Sequence, residues 1–185
     1  TKKHAETISD TRLEIRMRSM LLLSLAEDLG YAVLSSRHKS EIMIGAESHY
    51  DERFMNFAVL QDIFMNQVLQ LCLYRNSLSA VIPVSVIQDA ILDTGTFSQV
   101  GIAPLSSYAA LDKVLDLYKE QNYNLESIVY LTKIEATIIA RIMQLVDENT
   151  PKRRFAPLSV KVANANYVRS ADYPMTHGWN KNIKQ

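Results

Sequence analysis

Two His-x-x-Glu pairs stand nearest to chemistry in this sequence, His38 with Glu41 and His49 with Glu52. On a helix, three-residue spacing puts both side chains on one face, as a metal ligand set or an acid–base pair requires. Gly45 and Ser48 lie between the pairs and argue against one continuous helix through both. A di-metal bundle site would also need inward carboxylates from other helices, and Glu14, Glu27, Asp28, Asp62 and Glu135 are the acids available. None has a diagnostic partner, so the expectation is polar surface near a helix start, with no metal and no cofactor. Asp62 is the most interesting single acid, because it interrupts an apolar run. If buried it needs a partner, for which Arg141 and Arg75 are candidates; otherwise it lies on a solvated strip, or it is a catalytic carboxylate. Gly-x-Ser-x-Gly, the P-loop and the dinucleotide fingerprint are all absent.

The other chemically suggestive stretch is the C-terminal tail. From Thr150 onward, Lys152, Arg153, Arg154, Lys161, Arg169, Lys181 and Lys184 face one acid, Asp172, within a chain holding 20 basic and 20 acidic residues. The body is therefore acidic and the tail basic. Phe155, Tyr167, Tyr173 and Trp179 interleave with the charges. Such a tail either lies on the acidic body or is offered to an anionic partner. Lys152, Arg153, Arg154, Tyr167, Arg169, Tyr173 and Trp179 are the candidate partner-binding residues. Basic residues alternating with aromatics also suit phosphates and bases, although an acidic body repels a polyanion. A polybasic segment also attracts anionic lipid.

The elements that would position these groups read as helices. Five Gly and five Pro among 185 residues favour long regular elements, and 48% hydrophobic residues exclude a largely disordered chain. One Cys excludes an internal disulfide and a Cys-based zinc site. No apolar run reaches the ~18 residues of a membrane span. The chain starts at Thr1 rather than Met, which leaves open an upstream membrane anchor.

The longest apolar-rich run without Gly or Pro is Ser48–Arg75. Phe54, Phe57, Leu60, Phe64, Leu71 and Tyr74 recur at helical spacing, and Met55, Val59, Ile63, Val68, Leu69, Cys72 and Leu73 fill the remaining circumference. A helix apolar nearly all round is buried on most sides, so this run is expected to be the hub.

Before it, a helix from about Ser9 to Leu29 is stopped by Gly30, its second half entering the core, and a short helix lies within Tyr31–Glu47. After it, Pro83 opens a helix over Val84–Asp93, Thr96–Ala103 is a loop, and Pro104 opens another helix. There Tyr108, Leu111, Val114, Leu115 and Tyr118 share one face. Asn124 caps a last helix, with a buried stripe of Ile128, Leu131, Ile134, Ile138, Ile142 and Leu145. Leu158, Val160 and Val162 alternate with polar residues, as a short strand would.

The expected fold is all-α: a compact bundle of about six helices around the central one, with 1–150 as the helical domain and 151–185 as a basic extension packed in part on it. The function expected is a non-catalytic protein–protein interaction or adaptor domain, cytoplasmic, either free or as the soluble part of a larger membrane-associated assembly. Its partner is another protein with an acidic surface, or a second copy of the chain; a membrane enters only through a missing segment. The alternative is an enzyme using buried carboxylates of the central helix, with or without a metal. A further alternative is nucleic-acid binding through the tail.

Overall fold

The computed structural model describes residues 10–46, 55–92, 95–150 and 157–162. Among them run α1 (Asp10–Leu29), β1 (Leu34–Ser35), α2 (Lys39–Ile44), β2 (Phe57–Ala58), α3 (Met65–Leu78), α4 (Val84–Leu92), α5 (Gly95–Gln99), α6 (Tyr108–Leu115), a π-helical turn (Asp116–Glu120), α7 (Leu125–Thr132), α8 (Ala136–Glu148) and β3 (Leu158–Ser159).

The three strands form one sheet in the order β1-β2-β3, and both pairings are parallel. Leu34 pairs with Phe57 and Phe57 with Leu158; Ser35 pairs with Ala58 and Ala58 with Ser159. Before the ladder, Asn56 N–H donates to the Val33 carbonyl at 3.0 Å, and Asn56 Oδ1 accepts from Val33 N–H at 2.8 Å. Parallel strands need a crossover between them, and α2 lies within the first.

This sheet overturns the all-α expectation. The run read as one central helix changes conformation inside itself: Phe57–Ala58 is a strand, 59–64 is a loop, and helix resumes only at Met65. Its first residues, Ser48 to Phe54, lie outside the described ones. Nor is the helical part a buried hub, since no residue of α3 is buried. Strands of parallel sheets read as continuous apolar runs, and periodicity cannot separate a short one from a buried helix.

The core instead gathers on α6 and α8. Tyr108, Leu111, Val114 and Leu115 of α6, with Leu117 and Tyr118 in the π turn, meet Ile139, Ile142, Leu145 and Val146 of α8. Met43 and Ile44 of α2, Phe97, Ile102, Leu105 and Ile128 complete the cluster. The face expected for α6 is thus the observed one. The last helix is broken in two, because Lys133 adopts a left-handed conformation (φ 60°) between α7 and α8. In its expected stripe, Ile128, Ile142 and Leu145 are buried, while Leu131 is exposed.

Local signals hold where they depend only on local geometry. Gly30 ends α1 at φ 67°. Asn124 Oδ1 accepts from Ser127 N–H at 2.9 Å, capping α7. Ser107, not Pro104, opens α6, its Oγ accepting from Ala110 N–H at 3.3 Å. Gly95 starts a short helix where a loop is expected from the sequence. The second half of α1 does not enter the core, with Met20 and Leu21 each 69% exposed. No helix among the described residues is long and apolar enough to cross a membrane.

Candidate functional site

Open parallel sheets present ligand sites at the carboxyl ends of their strands, where loops fan out and helices begin. Here the β1–α2 loop carries Arg37 and His38, α2 opens with Lys39 and Ser40, and the loop after β2 carries Gln61 and Asp62. Arg37, His38, Lys39, Ser40, Gln61 and Asp62 are all buried. Lys39 N–H donates to the Ile63 carbonyl at 2.8 Å, tying the two loops together.

Lys39 is the centre of the cluster. It is 1% exposed, a position almost never occupied by an unpaired ammonium. Its Nζ bonds Glu120 Oε1, lies 3.8 Å from Asp62 Oδ1, and sits 4.6 Å from the centroid of the Phe64 ring. Glu120 reaches it because α6 continues as the π turn, which closes with Gln121 N–H donating to the Asp116 carbonyl at 3.1 Å. Such wide turns often mark functional sites. Asp62 also accepts from Val162 N–H at 2.9 Å, so the segment following β3 closes over the same carboxylate.

A second set of bonds fixes the start of α3. Its N-cap is Phe64, which has no capping oxygen, so the first amides are satisfied from other elements. Ser40 Oγ accepts from Met65 N–H at 3.0 Å and donates to Asp112 Oδ1; Asp112 Oδ2 accepts from Asn66 N–H at 2.8 Å. Burial pushes the Asp112 carboxyl above its ordinary pKa, resisted by the bonds from Ser40 and Asn66 and by the charge of His38.

His38 and Glu41 do form a pair, with Nε2 3.4 Å from Oε2. The imidazole is buried and packs edge-on to Tyr108 at 5.3 Å between centroids. Burial is the largest single influence on Glu41 and raises its pKa, but the hydrogen bond and charge of His38, with the charge of Arg37, outweigh it and hold the carboxyl below its ordinary value. A His–carboxylate pair fixes the ring and leaves the other nitrogen for chemistry. His49 and Glu52 lie outside the described residues. Among the described residues, no group of three or more His, Cys, Asp or Glu could hold a metal ion.

Beside Glu120, Tyr118 donates to Asp147 (2.9 Å and 2.8 Å to its two oxygens), which also accepts from Lys119 Nζ at 3.0 Å. Burial, first, raises the Tyr118 phenol; Lys119 opposes this and Asp147 reinforces it, leaving the pKa at about 12. The folded state then keeps a proton that the unfolded chain releases near 10.0. The resulting stability is complete below that pH and is lost as pH rises toward about 12. Denaturation midpoints measured across this window should fall less steeply for Tyr118→Phe than for the parent. Tyrosinate absorbance should show one late-titrating phenol that the variant lacks.

Of the candidate acids read from the sequence, Asp62 is thus the one that lies in the cluster, although in a loop rather than on a helix. Its charge partner is Lys39, while Arg141 lies 3.9 Å from Glu148 and Arg75 bonds Ser79. Lys39, Ser40, Gln61, Asp112 and Glu120 carry no distinguishing mark in the sequence. The legible signal is a short apolar run, Ala32-Val33-Leu34, followed by polar residues opening a helix. Lys152, Arg153, Arg154, Tyr167, Arg169, Tyr173 and Trp179 lie outside the described residues.

Comparison with known proteins assigns the chain to a family. A family model described as NAD synthase matches residues 1–156. The chain belongs to the NAD synthase family. It is 31% identical over 173 residues to the glutamine-dependent NAD(+) synthetase of Acinetobacter baylyi, covering 92% of this chain and 32% of that protein. It is 27% identical over 170 residues to the enzyme of that name from Aquifex aeolicus, covering 92% and 30%. A solved glutamine-dependent NAD+ synthetase from Acinetobacter baumannii, in complex with adenosine diphosphate, aligns at 29% identity and a TM-score of 0.42, covering 93% of this chain and 30% of that one. The chain thus spans about a third of the length of the relatives it matches.

Membership of a synthetase family overturns the reading as a non-catalytic adaptor and the leaning away from an enzyme. The alternative based on buried carboxylates fits better. The cluster is not legible in the sequence because its polar groups are spread from Arg37 to Glu120, and no local spacing joins them.

Proposed function

We propose that this chain is part of a glutamine-dependent NAD+ synthetase and that the carboxyl edge of its parallel sheet holds the dinucleotide. The observation that carries this reading is a buried, charge-paired cluster around Lys39, at the end of the sheet where α/β folds place ligands, in a chain of the NAD synthase family. In this role Lys39 fixes the Asp62 and Glu120 carboxylates. Ser40 and Asp112 hold the start of α3 in place. Glu41 orients the His38 ring through Nε2. Burial of the cluster excludes water, which strengthens each charge interaction inside it. A cytoplasmic setting belongs to the same proposal, in keeping with the single cysteine, Cys72, a free thiol. The basic, aromatic tail is proposed as a contact for another protein.

Calorimetric titration of the 185-residue chain with NAD+ tests the reading. Binding is expected, and Asp62→Asn should weaken it by about tenfold or more, since the carboxylate anchors both Lys39 and the Val162 amide. A folded chain that binds no NAD+, or an Asp62→Asn variant that binds as the parent does, would overturn it.

A further inference from the structure

The Lys39 cluster depends on an uncommon kind of turn. Gln121 N–H donates to the carbonyl of Asp116, five residues back, so Asp116–Glu120 is wider than an α-helical turn. A continued α-helix would rotate Glu120 by up to about 100°, the angle of one residue, and carry its carboxylate away from Lys39 Nζ. Because wide turns are rare, contacts with the rest of the protein must hold this one open. Burial of Leu117 and Tyr118 is non-directional and does not choose between the two registers. Hydrogen bonds are directional and do. Gln121 Nε2 donates to Asp116 Oδ2 at 2.7 Å, clasping the turn from within, but at an exposed position where water competes. Asp147, in the last turn of α8, grips it from another element, accepting from both Tyr118 Oη and Lys119 Nζ. One carboxylate thus holds two consecutive residues of the turn, and the third, Glu120, reaches Lys39.

We infer that Asp147 is a positioning residue for the Lys39 cluster: it fixes the wide register of the turn and so keeps Glu120 on the ammonium. It acts on Glu120 through Tyr118 and Lys119. These two anchors are also tied to each other, since Lys119 Nζ sits 4.3 Å from the centroid of the Tyr118 ring. With Glu120 rotated away, the Lys39 ammonium would keep the Asp62 carboxylate at 3.8 Å and the face of Phe64, but would lose its bonded carboxylate. A buried ammonium does not tolerate that loss without rearrangement or water entry. The bearing of this link on function rests on the proposed NAD+ site, whose charged groups include Glu120.

The test reads Lys39 directly. In the full chain its ε-ammonium, 1% exposed, should give a nitrogen-15 resonance whose protons exchange slowly with water, assigned through the side-chain carbons. Asp147→Ala should speed that exchange by about tenfold or more, as should Glu120→Gln, which discharges the acceptor itself. Asp147→Asn keeps the shape and one acceptor oxygen, so its rate should fall between those of the parent and Asp147→Ala. If Asp147 only braces α8, Asp147→Ala lowers the melting temperature and leaves the Lys39 resonance as in the parent, a result that overturns the inference. Should Asp147→Ala not fold, Tyr118→Phe loses only the hydroxyl and must speed the exchange in the same direction; an unchanged resonance there overturns the inference equally. Titration with NAD+ gives a second reading. Affinity should fall by the same factor, about tenfold, in Asp147→Ala and Glu120→Gln, and no further in the double variant, because both act through one contact. Factors that multiply in the double variant would mean that Asp147 does not act through Glu120. A parent that binds no NAD+ removes the proposed site instead, and the Lys39 resonance alone then decides the role of Asp147.

Discussion

Replacing Lys39 with Met should destabilise the fold by about 3–5 kcal/mol, the usual cost of removing one partner from a buried ion pair. Methionine nearly matches the lysine stem in volume, so little of this loss comes from a cavity. It comes from the charges left behind. Asp62, 2% exposed, would keep the Val162 amide but lose the ammonium 3.8 Å from its Oδ1, and Glu120 would lose its bond to Nζ. Asp62 should account for more of the loss, because the Glu120 side chain is 18% exposed and water can reach it. Urea denaturation measures the effect. The triple variant Lys39→Met/Asp62→Asn/Glu120→Gln should recover most of the stability, since it removes the uncompensated charges together with their partner. A loss below about 1 kcal/mol in the single variant would be the behaviour of a solvated surface pair and would count against a buried cluster.

Gly45→Ala should cost roughly 2–5 kcal/mol, from two separable causes. Gly45 has φ 67°, and a left-handed backbone costs a residue with a Cβ about 1–2 kcal/mol. The added Cβ would also overlap the Asn149 side chain. Asn149 cannot simply move aside, because its Nδ2 donates to the Ile44 carbonyl at 3.0 Å and to the Leu145 carbonyl at 2.8 Å, latching the end of α2 to the end of α8. Displacing it would take this donor from the Ile44 carbonyl, at a further cost of about 1–3 kcal/mol, while the Leu145 carbonyl keeps the Asn149 backbone N–H at 3.0 Å. Thermal and chemical denaturation of Gly45→Ala, Asn149→Ala and the double variant form a cycle. The double variant should cost at least about 1 kcal/mol less than the two singles added together, because the clash exists only while both side chains are present. Strict additivity would mean that the two residues do not meet.

The parts of the fold that can be read in the sequence share one property: their causes lie within a few residues. Gly30 and Asn124 act through local geometry alone, and Leu158 alternates with its neighbours as a strand should. The face Tyr108, Leu111, Val114, Leu115, Tyr118 is legible because helical period places those residues together whatever packs against them. Ser48–Arg75 misleads for the opposite reason. Phe57 and Ala58 are equally apolar in a buried strand and in a helix, and only pairing with Leu34 on one side and Leu158 on the other selects the strand. The extension from residue 151 is expected to pack in part on the body, and within it Leu158–Ser159 is a strand of the same sheet.

The candidate site is less legible than the fold. His38 with Glu41 and the buried Asp62 are visible as residue types, one by spacing and the other by its place in an apolar run. Their meaning is not, because Asp62 is defined by Lys39, Glu120 and Val162, and no spacing rule links these positions. The sequence by itself determined several helix ends, the buried face of α6 and the presence of an acid within an apolar run. All of these follow from backbone geometry and hydrophobicity over one or two helical turns. Only the tertiary structure decided that three two-residue strands run parallel, that the core lies on α6 and α8, and that Lys39 is enclosed with two carboxylates. The physical reason is range: a strand of two residues and a buried ion cluster both take their stability from partners distant along the chain, and those partners meet only once the chain has folded.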